Sequence, residues 1–178
     1  MRTIGRVIIL LGLALLIQAC ATAQLHVAQE APEKPPTFER IAVLPFANGV
    51  GSELPATASE NVAGAIMATL QKDQRNPFRD VTSTQSHQPG ELVVQGKILK
   101  YNPGSKAARF ILIGLGAGSL ELEVTLMDGM TGETLEQFST SGAIMAGGVA
   151  GASMGIEDMV NSAAKRVVER LVRYGSHS

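Results

Sequence analysis

"SLELEVTLMD", residues 119–128, alternates apolar and polar side chains without a break, and its reading decides the fold. Leu120, Leu122, Val124 and Leu126 share one face of an extended chain, and Glu121, Glu123 and Thr125 share the other. That is the pattern of a half-buried strand, its acidic face toward water. Asp128-Gly129-Met130-Thr131-Gly132 is dense in turn formers, so "ETLEQFST", residues 133–140, is expected to return beside it as a hairpin. Upstream, "ELVVQGKILKY", residues 91–101, reads as another strand, with Leu92, Val94 and Ile98 on one face and Gln95 and Lys97 on the other. "NPGSKAAR", residues 102–109, turns the chain before the uncharged stretch "FILIGLGAG", residues 110–118.

Toward the N-terminus, "FERIAVLPFAN", residues 38–48, holds the almost wholly apolar run Ile41–Leu44. Such a run suits a strand covered on both faces, and Pro45 marks its end. A polar loop with Gly49 and Gly51 leads to Thr57-Ala58-Ser59-Glu60, which fits a capping box. Val62, Ala63, Ile66, Met67 and Leu70 then line one face of a helix that Asn76-Pro77 breaks. "RDVTST", residues 79–84, reads as a weak strand, and "QSHQPG", residues 85–90, as a loop carrying His87. At the other end, Ile156, Met159, Val160, Ala163, Val167, Leu171 and Val172 mark a long amphipathic helix. Glu157 and Asp158 stand at its start, basic residues from Lys165 to Arg173 toward its end, and Gly175 beyond as a cap. The order strand, helix, strands, helix predicts an α+β domain over residues 38–175, with a tail at 176–178. Its sheet is expected to be mostly antiparallel, with two helices packed on one face.

Residues 1–37 have a different character. Arg2 and Arg6 precede "VIILLGLALLI", residues 7–17, an apolar run of 11 residues. A bilayer span takes about 20, so residues 1–19 read as an export signal. Ile17-Gln18-Ala19-Cys20 resembles the lipobox of bacterial lipoproteins, in which the cysteine sulfur receives diacylglycerol and the chain is cut just before it. Ala21-Thr22-Ala23 is a competing small-x-small cleavage site. Cys20 is the single cysteine of the chain, which excludes an intramolecular disulfide and favours its use as the acyl acceptor. Residues 20–37, with Pro32, Pro35 and Pro36, then read as a lipidated N-terminus and extended linker, reaching on the order of 50 Å at ~3.1 Å per residue.

Losing residues 1–19 removes two of the 15 basic residues and none of the 16 acidic ones, moving the formal charge from −1 to −3. A nucleic-acid partner normally demands a basic excess, and a chain with no Trp, two Tyr and five Phe offers few stacking platforms. The mature chain of about 159 residues is long enough to bury a core without disulfide or metal.

Motifs that could carry chemistry are weak. Gly151-Ala152-Ser153-Met154-Gly155 matches G-x-S-x-G, but no strand precedes it and only His177 follows. Gly114-x-Gly116-x-Gly118 leads into a strand where a dinucleotide site needs a helix. His26, His87 and His177 are too scattered for a zinc site. No catalytic residue, metal ligand or cofactor is expected beyond the covalent lipid on Cys20. "GAIMAGGVAGASMGI", residues 142–156, is more informative: it carries no charge, and Gly147, Gly151 and Gly155 recur every four residues. On a helix that spacing allows close backbone approach; the plainer reading is a small-residue loop packed along the surface. Together with "FILIGLGAG" it would form an apolar contact site for a partner or a second copy. Arg109 enters that apolar stretch and is expected either to pair with Glu91 or Asp128 or cap carbonyls at the glycine turn, or to contact a ligand anion or a partner.

"RIAVLPFAN", the capped helix, and "VVQGKILKYNPGSKAARFILIGLGAGSLELEVTLMDGMTGETL" together resemble the bacterial lipoproteins grouped as domain of unknown function 4410. The residues that carry it are Gly104, Arg109, Gly114, Gly116, Gly118, Asp128, Thr131 and Gly132. The resemblance runs from Phe38 to Gly175. A looser similarity extends to the domains of curli-secretion lipoproteins and penicillin-binding-protein activators, which act by binding proteins. The closer family implies no established activity and the looser one an envelope protein acting by contacts rather than catalysis. With Ala21 and not Asp after Cys20, resemblance to enteric-type lipoproteins implies outer-membrane sorting, facing the periplasm. Alternatives are an oligomeric secretion or pore component assembling through residues 142–156, and a soluble periplasmic small-ligand binder.

Overall fold

The computed structural model describes residues 26–111, 116–144, 150 and 153–175, apart from the Arg109 side chain. In chain order these form β1 (His26–Gln29), β2 (Arg40–Val43), β3 (Ala47–Asn48), α1 (Ala58–Lys72), β4 (Asp80–Thr82) and β5 (Glu91–Asn102). Then come α2 (Lys106–Ile111), β6 (Gly118–Asp128), β7 (Thr134–Ile144) and α3 (Ile156–Leu171), closed by a tight helical turn at Val172–Tyr174.

The strands lie in the order β1-β7-β6-β5-β2-β4, with β3 also beside β5. Pairing is antiparallel through β1, β7, β6 and β5, and parallel where β2 meets β4 and β5 and where β3 meets β5. The sheet is therefore mixed: the long pairings are antiparallel, and the short parallel part at β2, β3 and β4 is what the sequence reading did not anticipate. The reason is the connection: β2, α1 and β4 form a crossover, and a helix inserted between neighbouring strands returns the chain in the same direction. Ile41, Ala42 and Val43 are all buried, as a parallel strand covered on both faces requires.

The alternation of residues 119–128 is realised in β6. Leu120, Leu122, Val124 and Leu126 are fully buried, each stabilising the fold by roughly 1.5–3 kcal/mol. Glu121 and Glu123 are half-buried rather than free in water, because Lys100 and Lys97 stand opposite them on β5. Val62, Ala63, Ile66 and Leu70 of α1 and Met159, Val160, Ala163, Val167 and Leu171 of α3 join the same buried cluster. α1 packs on β2 and β4, α3 packs on β6 and β7, and the two helices touch each other.

Four local expectations are corrected. Thr57 makes no side-chain cap, so the capping box is absent: its backbone is already helical at φ −84 and ψ −3, which turns the hydroxyl away from the free amides. Gly175 does not cap α3 in a left-handed conformation, since its φ is −88. It is needed instead for close approach, because a Cβ there would lie 1.7 Å from Pro77 Cγ. Residues 26–29, assigned to the linker, form β1 on the edge of β7. Residues 142–144, assigned to the glycine-rich loop, are the end of β7.

After α1 the Asp73 carboxylate accepts bonds from Arg75, at 3.0 Å from Nε, 2.8 Å from Nη2 and 2.9 Å from the amide. These side-chain bonds, then the amide, pull the Asp73 carboxyl from 3.8 to about 2. A lowered carboxyl pKa contributes to stability above pH 3.8, and that contribution fades as pH falls through about 2. A carbon-detected titration should place the Asp73 midpoint near 2, and Arg75→Ala should return it toward 3.8; a wild-type midpoint near 3.8 would contradict the pairing.

Candidate interaction surface

One end of the sheet gathers the two uncharged stretches. Antiparallel register sets Asn102 opposite Ser119 and Gly118 opposite Ile144. The chain leaving β5, the chain entering β6 and the chain leaving β7 therefore meet at that end, although they are some 40 residues apart in sequence. α2 lies in the first of these connections. Ser105 closes it by donating its amide to the Gly116 carbonyl at 2.9 Å. Gly116 has a φ of +71, and a Cβ there would stand 2.6 Å from the Ser105 carbonyl, so the closure needs glycine. The loop so pinned holds Phe110 59% and Ile111 77% exposed. Lys106 on the same helix is exposed as well.

The start of α3 stands at this end too. Gly155 is its N-cap, extended at φ −140, and donates its amide to Asp158 Oδ2 at 2.8 Å. A hollow of 390 Å³ is lined there by Tyr101, Lys106, Ser153, Gly155, Glu157 and Asp158. Nothing lies within 4 Å of a Cβ built on Gly155. Gly147 and Gly151 lie outside the described residues, as does Cys20. Ser153 of the G-x-S-x-G stretch donates its hydroxyl to the Ala150 carbonyl at 2.8 Å.

Arg109 is placed on α2 by its backbone, and its side chain lies outside the described residues. The two acids expected beside it have ligands of their own. Glu91, buried, accepts from the Ser86 amide and hydroxyl at 2.9 and 2.8 Å and from the His87 amide at 3.0 Å. Asp128 Oδ1 accepts from the Met130 and Thr131 amides at 2.9 and 2.8 Å, so the Asp-x-x-Thr-Gly motif builds its own turn. His26 is exposed on β1 and His87 lies in a loop against Gln85 Nε2 at 3.0 Å; His177 lies outside the described residues. Among the described residues no cluster of His, Cys, Asp and Glu could hold a metal ion, and no helix is long and apolar enough to cross a membrane.

The opposite end of the sheet holds a buried ionic cluster that sequence reasoning missed. Glu136 of β7 is 0% exposed. It accepts from Arg170 Nη1, from Arg173 Nη2 at 3.3 Å and from the Tyr174 hydroxyl at 2.9 Å. Arg170 also lies over the Phe138 ring, 4.7 Å from its centre. Burial, with Arg173 nearby, lowers the Arg170 guanidinium, and burial raises the Tyr174 hydroxyl. Every member is engaged by another, so the cluster locks the C-terminal turn to β7. A sequence signal existed: Glu136 shares the inward period of Phe138.

A family model described as domain of unknown function (DUF4410) matches residues 51–148. No curated protein matches the chain by sequence. Among solved structures, the fold is similar to a PelC dodecamer from Paraburkholderia phytofirmans, 12% identical, covering 86% of this chain and 100% of that one at a TM-score of 0.58. It is also similar to a Xanthomonas campestris protein of family DUF330, 10% identical over 82% of this chain and 88% of that one, TM-score 0.50. Lipoprotein GNA1162 from Neisseria meningitidis is 12% identical over 77% and 96%, at a TM-score of 0.43. These likenesses concern the fold. The family model spans more than half of the chain and includes the β5–β7 meander with its Asp-x-x-Thr-Gly turn, and the chain belongs to the DUF4410 family.

Proposed function

We propose that the chain is a lipid-anchored envelope protein that acts through protein contacts rather than catalysis. Residues 1–19 are its export signal, Cys20 carries diacylglycerol, and the domain faces the periplasm from the outer membrane. The observation that carries this reading is the open start of α3 at the sheet end where the uncharged stretches meet, where a side chain at Gly155 would meet no neighbouring atom. The hollow beside it, lined by Tyr101, Lys106, Ser153, Glu157 and Asp158, gives a partner both apolar and polar groups to contact.

The contacts include copies of the same chain. Gly155 is the extended N-cap of α3 and not part of a helical face, so what supports self-contact is the open space at that position and the similar PelC structure, a dodecamer. Gly155 is the position to change, since a side chain there meets no neighbouring atom. Gly155→Leu is expected to leave the melting temperature within a few degrees and to shift the oligomer distribution seen by crosslinking and light scattering. Gly151→Leu is the companion variant. If both variants and the parent give the same distribution, assembly through this segment is wrong. A defined oligomer with no other envelope protein in crosslinks would favour self-assembly over capture of a partner.

A further inference from the structure

We propose that the tip formed by α2 is a second membrane contact, with Phe110 and Ile111 entering the lipid surface in which Cys20 is anchored. The inference rests on the reading of Cys20 as the lipidated residue.

β1 supplies the geometry. It pairs antiparallel to β7, with His26 opposite Ser139 and Gln29 opposite Gln137. Its N-terminal end therefore points along β7 toward Ile144, the same sheet end at which α2 lies. Cys20 stands six positions before His26, a reach of about 20 Å at ~3.3 Å per residue. Ile144 stands five positions after Ser139 on β7, about 17 Å on the same spacing. The tether is thus long enough for Cys20 to reach the level of the sheet end that carries Phe110 and Ile111. The short reach cannot act as the long spacer that composition implied, because β1 ties the tether down before its prolines begin.

Chemistry at the tip fits a lipid surface. Phe110 and Ile111 are consecutive, large and exposed on a loop pinned at its base by Ser105 and Gly116. Exposed Lys106, one turn earlier, can reach lipid phosphates while its stem covers apolar surface. Interfacial helices bury their apolar face about 5–10 Å into the headgroup boundary, a depth two such side chains can fill. The acyl chains retain the protein; the tip sets which end of the sheet faces the bilayer.

The chain has no Trp, so single-Trp variants report one position each. Phe110→Trp and Met130→Trp place the probe at opposite ends of the sheet, since Met130, 64% exposed, lies in the β6–β7 hairpin turn. Each variant of the mature chain is coupled through Cys20 to maleimide lipid in phosphatidylcholine vesicles with brominated acyl chains, which supplies the anchor whatever the host does. Emission from Phe110→Trp is expected to shift blue and to be quenched several-fold more than that from Met130→Trp. Equal quenching of the two probes, stronger quenching at Met130→Trp, or no quenching at Phe110→Trp would each overturn the proposed orientation. Intact mass of the protein from its host membranes is read separately: an unmodified N-terminus would refute lipidation of Cys20, while the quenching pattern judges the tip.

Discussion

Glu136→Ala is expected to lower the melting temperature by roughly 10 °C, from a cost of ~3–5 kcal/mol at ~2–4 °C per kcal/mol for a chain of this size. The estimate follows from what the substitution leaves behind. Arg170 keeps only 17% of its side chain exposed and would lose the carboxylate that balances it. The Tyr174 hydroxyl, in a fully buried residue, would lose its acceptor. Removing one partner of a buried pair is costly because the other charge stays behind. The damage also spreads, since the Tyr174 carbonyl accepts the Phe38 amide at 2.8 Å and so helps hold the chain entering β2. Replacing Glu136 and Arg170 together with leucine should recover part of the loss, because the charge then left without its carboxylate is Arg173, whose side chain is 50% exposed and stays hydrated. Thermal unfolding of Glu136→Leu, Arg170→Leu and the double variant measures the coupling. A Glu136→Ala protein that melts like the parent would refute the structural role.

The strong period-two signal of residues 119–128 made β6 and its hairpin with β7 legible, because side chains facing a core cannot change register without exposing four apolar groups. α1 and α3 were legible for the equivalent reason at helical period. The sheet direction was less so. The run Ile41–Leu44 announced a strand covered on both faces, but a three-residue partner such as β4 carries too little pattern to reveal that it pairs in parallel. β1 was hidden altogether: its four residues are all exposed and are held by backbone pairing, which leaves no hydrophobic signature. Glu136 was hidden by its chemistry, since an acid at an inward position reads as a break in the pattern until Arg170, Arg173 and Tyr174 are brought to it from 34 or more residues away. At the candidate surface, the uncharged stretches could be found by composition, but their meeting depends on the register of Gly118 against Ile144.

Gly142→Val is expected to be far more damaging than a change at Gly155, the other described glycine of residues 142–156, costing ~3 kcal/mol or more, at the upper end of core overpacking. A Cβ at position 142 would lie 1.9 Å from the Met159 carbonyl oxygen and 2.8 Å from the Met159 carbonyl carbon. Both atoms belong to the backbone of α3, so no rotamer change can relieve the clash; the helix must lift from β7. Met159 and Ala163, buried at this crossing, would be exposed as it lifts. Gly142→Ala should already destabilise markedly, since it is the first carbon that collides. Denaturant unfolding with near-ultraviolet circular dichroism would detect both the loss of stability and the loosened packing around α3. If Gly142→Val unfolds at the parent's midpoint, α3 does not rest on β7 as described. The comparison with Gly155→Leu then divides the segment by mechanism: position 142 serves helix–sheet contact, and position 155 is free to serve contact with another molecule. A variant at 142 that changes assembly would do so by moving α3, so only the variant at 155 can report on the surface itself.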